Sequence, residues 1–269
     1  MALLKKFYTF FHHLMNNRGL IVELIKRDFK QKYASNKFGL TWAIIEPFAS
    51  IIVFWFIFSF GLRAGKHLEV PFITYMLPGY IAFLFFQISI TQNCSSIRNF
   101  SYLIKQVNFR VSVIPLVKMI SESIMHLIFL VITIVVLIFH GFHPNIFWLQ
   151  LIYYFFSMFL FTLGLSLFIS STSLFFPDLS NILHIIIRIM FYLTPIFWNI
   201  FMLPKKFQTI LKYNPMFYIV NGYRDSLLFS NPFWNEPILL IYFWSLVIVF
   251  LIVGTKVFTK LRPHFADVI

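Results

Sequence analysis

The sequence predicts an all-α integral membrane protein with six transmembrane helices, and two observations support this fold class. Of its 269 residues, 59% are hydrophobic and 38 are Phe, well above what the core of a soluble domain needs. The apolar residues also collect in long stretches, each near the roughly 20 residues that a helix needs to cross a bilayer core. The predicted spans are 42–62, 72–92, 111–139, 146–173, 181–198 and 237–258.

An amphipathic helix is predicted before the first span. The apolar residues Ile21, Ile25, Phe29 and Tyr33 recur every four positions, and charged residues occupy the other faces. This pattern is typical of a helix that lies on a membrane surface. We therefore divide the chain into an N-terminal interfacial segment, 1–32, a transmembrane domain, 33–262, and a short tail, 263–269.

The distribution of basic residues predicts the orientation. When loops are assigned alternately to two sides, most of the 22 Lys and Arg residues fall on the side of the two termini. The positive-inside rule places that side in the cytoplasm. Both termini are therefore predicted to be cytoplasmic, and only these basic residues fall on the outer side: Arg63, Lys66, Lys205, Lys206, Lys212 and Arg224.

The segment 199–236, between the fifth and sixth spans, is too long for a tight turn. It contains Pro204, Pro215 and Pro232, and Pro195 lies near the end of the preceding span. Proline disfavours continuous helix at its own position and at the residue before it. Short re-entrant helices that dip into the outer leaflet are therefore expected here.

Two sets of polar residues lie inside the predicted spans at helical spacing. Lys118, Glu122 and His126 share one helix face, for which an internal ion pair is favoured over a proton relay. His184, Arg188 and Tyr192 repeat the same spacing in the fifth span. The Arg188 guanidinium is deep enough to meet a lipid-linked phosphate headgroup, although extension of its side chain toward the cytoplasmic interface explains it equally well.

Several other functions lack the residues they require. The chain has no Gly-rich phosphate-binding loop of the nucleotide-hydrolysing type, so ATP hydrolysis is not expected of it alone. The single Cys94 and the pair His140 and His143 supply too few ligands for a metal site. In a membrane protein, the net charge of +13 indicates the orientation of the loops and contact with anionic lipid rather than binding to nucleic acid. No catalytic site, metal or cofactor is predicted.

A resemblance extends from about residue 24 to the C-terminus. It begins on the amphipathic helix and enters the first span through these residues: Arg27, Asp28, Phe29, Lys30, Tyr33, Gly39, Leu40, Trp42 and Pro47. In this order they resemble the permease family of ABC-2 type polysaccharide exporters. The wall teichoic acid branch is the most similar, through blocks that include Val70–Pro71–Phe72, Ser112 to Pro115, Tyr192, Pro195, Trp198, Lys212 to Pro215, Tyr223–Arg224 and Phe265 to Asp267.

The resemblance implies a homodimer of this chain with two copies of a separate ATP-binding subunit, which would use ATP and Mg. It implies export of a polyprenyl-diphosphate-linked teichoic acid or related polysaccharide through the plasma membrane of a Gram-positive bacterium. Contact with the ATP-binding subunit would involve Arg27 and Asp28 together with a coupling segment, Ser101, Tyr102, Leu103, Ile104, Lys105, Gln106, Val107 and Asn108.

Two further site assignments accompany this interpretation. Substrate would enter at an inner mouth that contains His184, Arg188 and Tyr192. An outer gate would include Pro195, Trp198, Asn214 and Pro215.

Two rival functions remain open from the sequence. A membrane-embedded transferase acting on polyprenyl-linked sugars would need catalytic groups at one membrane surface, and only Glu122, His126 and Asp178 are candidates. An ion-driven secondary transporter would usually show paired repeats or midplane carboxylates, which are not evident.

Overall fold

The computed structural model describes residues 18–34, 39–63, 68–104 and 110–268. Within these ranges the chain consists of helices and short connections, without strands. The α-helices are α1 Arg18–Ala34, α2 Leu40–Phe56, α3 Phe72–Cys94, α4 Ser96–Asn99, α5 Ser101–Ile104, α6 Val113–Phe139, α7 Gln150–Phe175, α8 Leu179–Leu193, α9 Lys205–Lys212, α10 Pro215–Arg224, α11 Pro237–Leu261 and α12 Phe265–Val268. We call the end with α1, α4 and α5 the inner end, following the predicted orientation, and the opposite end the outer end.

Five helices in the described ranges are long and apolar enough to cross a membrane. They correspond to five of the six predicted spans and are Thr41–Gly61, Phe72–Cys94, Val113–Phe139, Ile146–Phe175 and Pro237–Val268. The first includes a π-helical turn, Ile57–Gly61, and the last continues past α11 through a 3₁₀ turn into α12. The amphipathic helix predicted over 21–33 is observed as α1.

The fifth predicted span, 181–198, is shorter than expected. The helix observed there is α8, which has 15 residues and is about 22 Å long at 1.5 Å per residue, whereas a bilayer core is about 30 Å thick. It ends because Thr194 precedes Pro195 and adopts extended backbone dihedral angles (φ −79°, ψ 127°). A crossing by α8 together with the segment that follows it remains a prediction.

The helices differ widely in how much protein covers them. In α3, 78% of the apolar window is buried, and this helix packs against α6, α7 and α10 at the centre of the fold. In the first span only 6% of the window is buried, and the side chains of Phe56 and Phe60 are each 61% exposed. The first span therefore presents an apolar face that lipid or another protein surface must cover.

Short helices do follow α8, as the prolines predicted. They are a 3₁₀ turn, Ile200–Met202, then α9 and α10. Pro215 occupies the first turn of α10, where its missing N–H costs nothing, and the Asn214 side chain caps the helix by accepting a hydrogen bond from the Met216 N–H. The whole of 216–220 on α10 is buried against the spans. A re-entrant position in a bilayer remains a prediction.

Two glycines allow α7 and α11 to pack with their backbones in contact. A Cβ on Gly164 would lie 2.7 Å from the Leu251 nitrogen, and a Cβ on Gly254 would overlap the Gly164 carbonyl oxygen. Small residues at such crossings permit close van der Waals packing, which is a main source of helix association in lipid. This crossing joins the fourth and last spans.

We expect Gly254→Leu to separate α7 from α11 and to lower the thermal stability of the detergent-solubilised protein by several degrees. Gly61→Ala is the matched control, because a Cβ there meets nothing within 4 Å. Melting curves followed by intrinsic fluorescence would make the comparison. Equal melting temperatures for the two variants would contradict the close crossing.

Candidate functional site

Two ion pairs hold α1 against α6 at the inner end. The Lys118 Nζ lies 2.6 Å from Asp28 Oδ1, and the Lys32 Nζ donates to both oxygens of Glu122 at 2.7 and 2.8 Å. Asp28 and Lys32 are four residues apart on α1, as Lys118 and Glu122 are on α6, so the two pairs form in register. The predicted ion pairing is present, but its partners are on α1 rather than within the stripe on α6.

Most of the charged side chains in these two ion pairs are buried. Asp28, Lys118 and Glu122 are each 5% exposed or less. Removing one member of a buried pair typically costs about 3–5 kcal/mol, because the other charge stays buried without compensation. Asp28 was predicted to contact the ATP-binding subunit, but its carboxylate faces Lys118. Any coupling through Asp28 is therefore indirect, through the position of α1.

Arg27 is placed differently from Asp28. Its side chain is exposed, and its guanidinium carbon lies 4.5 Å from the centroid of the Tyr102 ring on α5. This cation–π contact joins α1 to the predicted coupling segment. Lys105, Gln106, Val107 and Asn108 lie outside the described residues, as does the side chain of Ile104.

The described part of the coupling segment is packed into a second hydrophobic cluster at the inner end. Leu103 is 6% exposed within it, beside residues of α1, α4, α6, α7, α11 and α12. The Arg98 guanidinium on α4 also donates to the carbonyls of Ser173 and Leu174 at the end of α7. Force applied to α5 would therefore reach several spans at once.

A cavity of about 620 Å³ opens between α2, α3, α6 and α8. We call it the inner cavity. His184 and Arg188 line it, as predicted for the inner mouth, whereas Tyr192 is 64% exposed and is not part of its lining. The polar side chains around it also include Glu46, Gln87, Thr91 and Glu122.

Arg188 is the group in this cavity with the clearest binding capacity. Within the described ranges it forms no ion pair, whereas Glu122 is neutralised by Lys32. A guanidinium presents a rigid fork of N–H donors that suits phosphate oxygens. Glu46 lines the same cavity. Its position beside Pro47 offered no signal that it faces a cavity.

His126 extends the α6 stripe toward the outer half of the protein. Its Nε2 lies 2.9 Å from the Tyr223 hydroxyl on α10, and both residues are buried. One face of α6 therefore contacts α1 through Lys118 and Glu122, and contacts α10 through His126. The sequence showed the spacing of this stripe but not its partners.

Arg224, next to Tyr223, organises the outer end. It is 1% exposed, and its guanidinium donates to the Tyr75 carbonyl at 2.9 Å and the Ile196 carbonyl at 2.7 Å. It also stacks on the Tyr75 ring at 3.7 Å. On sequence alone Arg224 is an outer loop charge, because no residue pattern reveals its partners, which are the Tyr75 side chain and two backbone carbonyls.

The four predicted gate residues all lie at the outer end, near Arg224 or its partner Ile196. The Trp198 carbonyl accepts from the Tyr75 hydroxyl at 3.3 Å, and the Asn214 side-chain amide donates to the Thr194 hydroxyl at 2.8 Å. Pro215 begins α10, and Pro195 borders a second cavity. Their role as a gate remains a prediction.

This second cavity, the outer cavity, has a volume of about 470 Å³. It lies where α10, the π-helical turn Asp225–Phe229 and the chain before α11 meet. Burial raises the pKa of the Asp225 carboxyl above its ordinary value; Glu236 adds to this rise, and the Asn231 side chain and Arg224 oppose it. Asn221 and Asn231 both donate to this carboxylate, at 2.8 and 3.0 Å.

Comparison with known proteins agrees with the resemblance in the sequence. The family model described as ABC-2 type transporter matches residues 19–228. An O-antigen export system permease protein, RfbA, of Klebsiella pneumoniae is 31% identical over 93% of this chain and 95% of its own length. The polysialic acid transport protein KpsM of Escherichia coli is 21% identical over 87% of this chain and 90% of its own length.

These relatives come from Gram-negative bacteria, so they lend no support to the expected Gram-positive source. They bear out the predicted family, whose name describes membrane components of transporters rather than transferases or ion-driven carriers. The chain belongs to the ABC-2 type transporter family.

Proposed function

We propose that this chain is the permease subunit of an ATP-driven exporter that moves a lipid-linked cell-surface polysaccharide across the bacterial inner membrane. The single observation that carries the proposal is near full-length similarity to an O-antigen export permease and a polysialic acid transport protein. The inner cavity supports it, because Arg188, which forms no ion pair among the described residues, could offer its guanidinium to a polyprenyl diphosphate.

The assembly we propose contains two copies of this chain and two copies of a separate ATP-binding subunit. The exposed apolar face of the first span supports a homodimer, since a second copy would cover part of it. The exposed Arg27 and the α5 segment would receive the ATP-binding subunit, which would bind ATP and Mg. The two ion pairs between α1 and α6 would then transmit motion of the ATP-binding subunit to the spans.

The polymer is best assigned to the O-antigen type. A teichoic acid substrate rests on short sequence blocks, whereas the relatives with named substrates carry O-antigen or polysialic acid. The Arg188 guanidinium in the inner cavity would suit a lipid-linked diphosphate whichever of these polymers it carried. The chemistry of the repeating unit distinguishes them.

The first test has two parts. A tagged copy of the protein is isolated from native membranes, and in a separate strain the protein is removed by gene deletion. We expect an ATP-binding protein to co-purify in equal amounts, and the deletion strain to accumulate lipid-linked polysaccharide inside while losing it from the surface. Phosphorus analysis of the accumulated polymer separates a polyol-phosphate chain from a glycan. Unchanged surface polysaccharide, together with no ATP-binding partner, would refute the proposal.

Arg188→Gln should lower export about tenfold or more, since a hydrogen bond to a charged group contributes about 1.5–3 kcal/mol. Arg188→Lys should retain part of the activity by keeping the charge. The control is Arg262→Gln at an exposed position of the inner end. Export is measured in the complemented deletion strain. Loss of complex assembly in parallel with export would instead assign Arg188 a structural role.

Asp28→Asn should leave the Lys118 ammonium buried without a counter-charge and loosen α1 from α6. We expect the assembled complex to lose most of its polymer-stimulated ATP hydrolysis, and the combined exchange Asp28→Lys with Lys118→Asp to restore a substantial part of it. Glu23→Gln on the same helix is the control, since its pair with Lys26 is exposed. Normal stimulation in Asp28→Asn would show that the pair does not transmit motion.

A further inference from the structure

We propose that the outer cavity is a glycan-binding subsite that takes neutral, hydroxyl-rich sugar units of the exported polymer. This inference rests on the proposed function and names the polymer class more closely. Its volume of about 470 Å³ lies within the range of small-molecule sites. It is bounded by the outer end of α3, the segment after Pro195 and the chain before α11, where a polymer would leave the membrane.

The lining of the outer cavity combines the two kinds of group that bind a sugar unit, namely aromatic rings and hydrogen-bonding side chains. Aromatic rings of Tyr154, Tyr218 and Phe233 line the cavity. The two tyrosines are buried, so the partly exposed Phe233 ring is the one available to pack against the apolar C–H face of a pyranose. Carboxamide groups of Asn221 and Asn235 lie in the same lining and can both donate to and accept from hydroxyls.

Asp225 is the central acceptor among these groups. One of its oxygens accepts from Asn221 and the other from Asn231. A carboxylate has about four lone-pair sites, so each oxygen keeps one site for a further donor. Two neighbouring sugar hydroxyls can supply those donors together.

The charges around the cavity select against a phosphate-rich polymer. Glu69, Asp225 and Glu236 face it from three segments, against Lys212 and Arg224. Lys212 is paired with Glu236 at 3.2 Å, and the Arg224 guanidinium is buried and donates to the Tyr75 hydroxyl and to two carbonyl groups. Among the described residues the lining therefore offers no accessible, unpaired cation. The carboxylates of Glu69 and Asp225, which form no ion pair within the described ranges, would repel a polyol phosphate but not a neutral glycan.

The part of the outer cavity wall that follows Asp225 is held in place by hydrogen bonds within the protein. The π-helical turn ends at Ser230, which has a positive φ of 54°, and the Asn145 side chain donates to the Ser230 hydroxyl at 2.8 Å. Gln150 on α7 donates to the Asn231 carbonyl and accepts from the Phe233 N–H. Such a preformed wall lowers the entropic cost of binding, and π-helical turns often occur at functional sites.

The test uses the complete complex in phospholipid nanodiscs, with saturation-transfer NMR titrations. One probe is the polysaccharide released by mild acid from the host's own lipid-linked pool, and the other is a poly(glycerol phosphate) oligomer. We expect the glycan to bind, Asp225→Asn and Phe233→Leu each to weaken its affinity at least fivefold, and poly(glycerol phosphate) to bind at least fivefold more weakly.

Matched controls are Asp267→Asn, at an exposed inner position, and Phe139→Leu, which is 85% exposed at the end of α6. If either cavity variant fails to assemble, Asn235→Ala replaces it, because that side chain is exposed. Glycan binding that is unchanged in the cavity variants, or stronger binding of poly(glycerol phosphate), would overturn the inference. An exporting complex with no outer glycan site would still satisfy the proposed function, whereas unchanged surface polysaccharide together with no ATP-binding partner would refute the proposed function itself.

Discussion

The structure depends on the contacts that three polar side chains on one face of α6 make with other helices. A charged group placed inside an apolar helix bundle is costly unless a partner meets it. Lys118 and Glu122 find their partners on α1, and His126 finds Tyr223 on α10. Because each partner comes from a different part of the chain, the stripe fixes α6 relative to both the surface helix and the outer segment.

Both cavities are bounded by elements that this stripe holds. Glu122 and His126 line the inner cavity directly. Tyr223, bonded to His126, precedes Arg224, which borders the outer cavity and holds the carbonyls of Tyr75 and Ile196. A displacement of α1 relative to α6 would therefore change the inner cavity at once and the outer cavity through two consecutive residues of α10. This continuity gives a physical route by which the motion proposed for α1 would reach the outer end.

Sequence patterns predicted the elements whose signals are local. Long apolar stretches predicted six spans, and five of these match described helices that are long and apolar enough to cross a membrane. Periodicity predicted α1, and prolines predicted the break near Pro195 and the short helices after it. Contacts between distant segments were not predictable, because spacing on one helix does not identify a partner on another. Asp28 therefore looked like a surface contact residue, and Arg224 like a loop charge, although both are buried and bonded across more than 80 residues of sequence.

The binding groups of the two cavities would complement the two parts of the proposed lipid-linked polysaccharide. The inner cavity contains an arginine without an ion pair among the described residues, which suits the diphosphate that joins polymer to lipid. The outer cavity combines aromatic rings, carboxamides and a carboxylate whose hydrogen-bonding capacity is only partly used, which suits sugar units and disfavours phosphate. A free anion or a free sugar would engage one cavity alone. The proposed substrate carries both groups and would therefore engage both cavities.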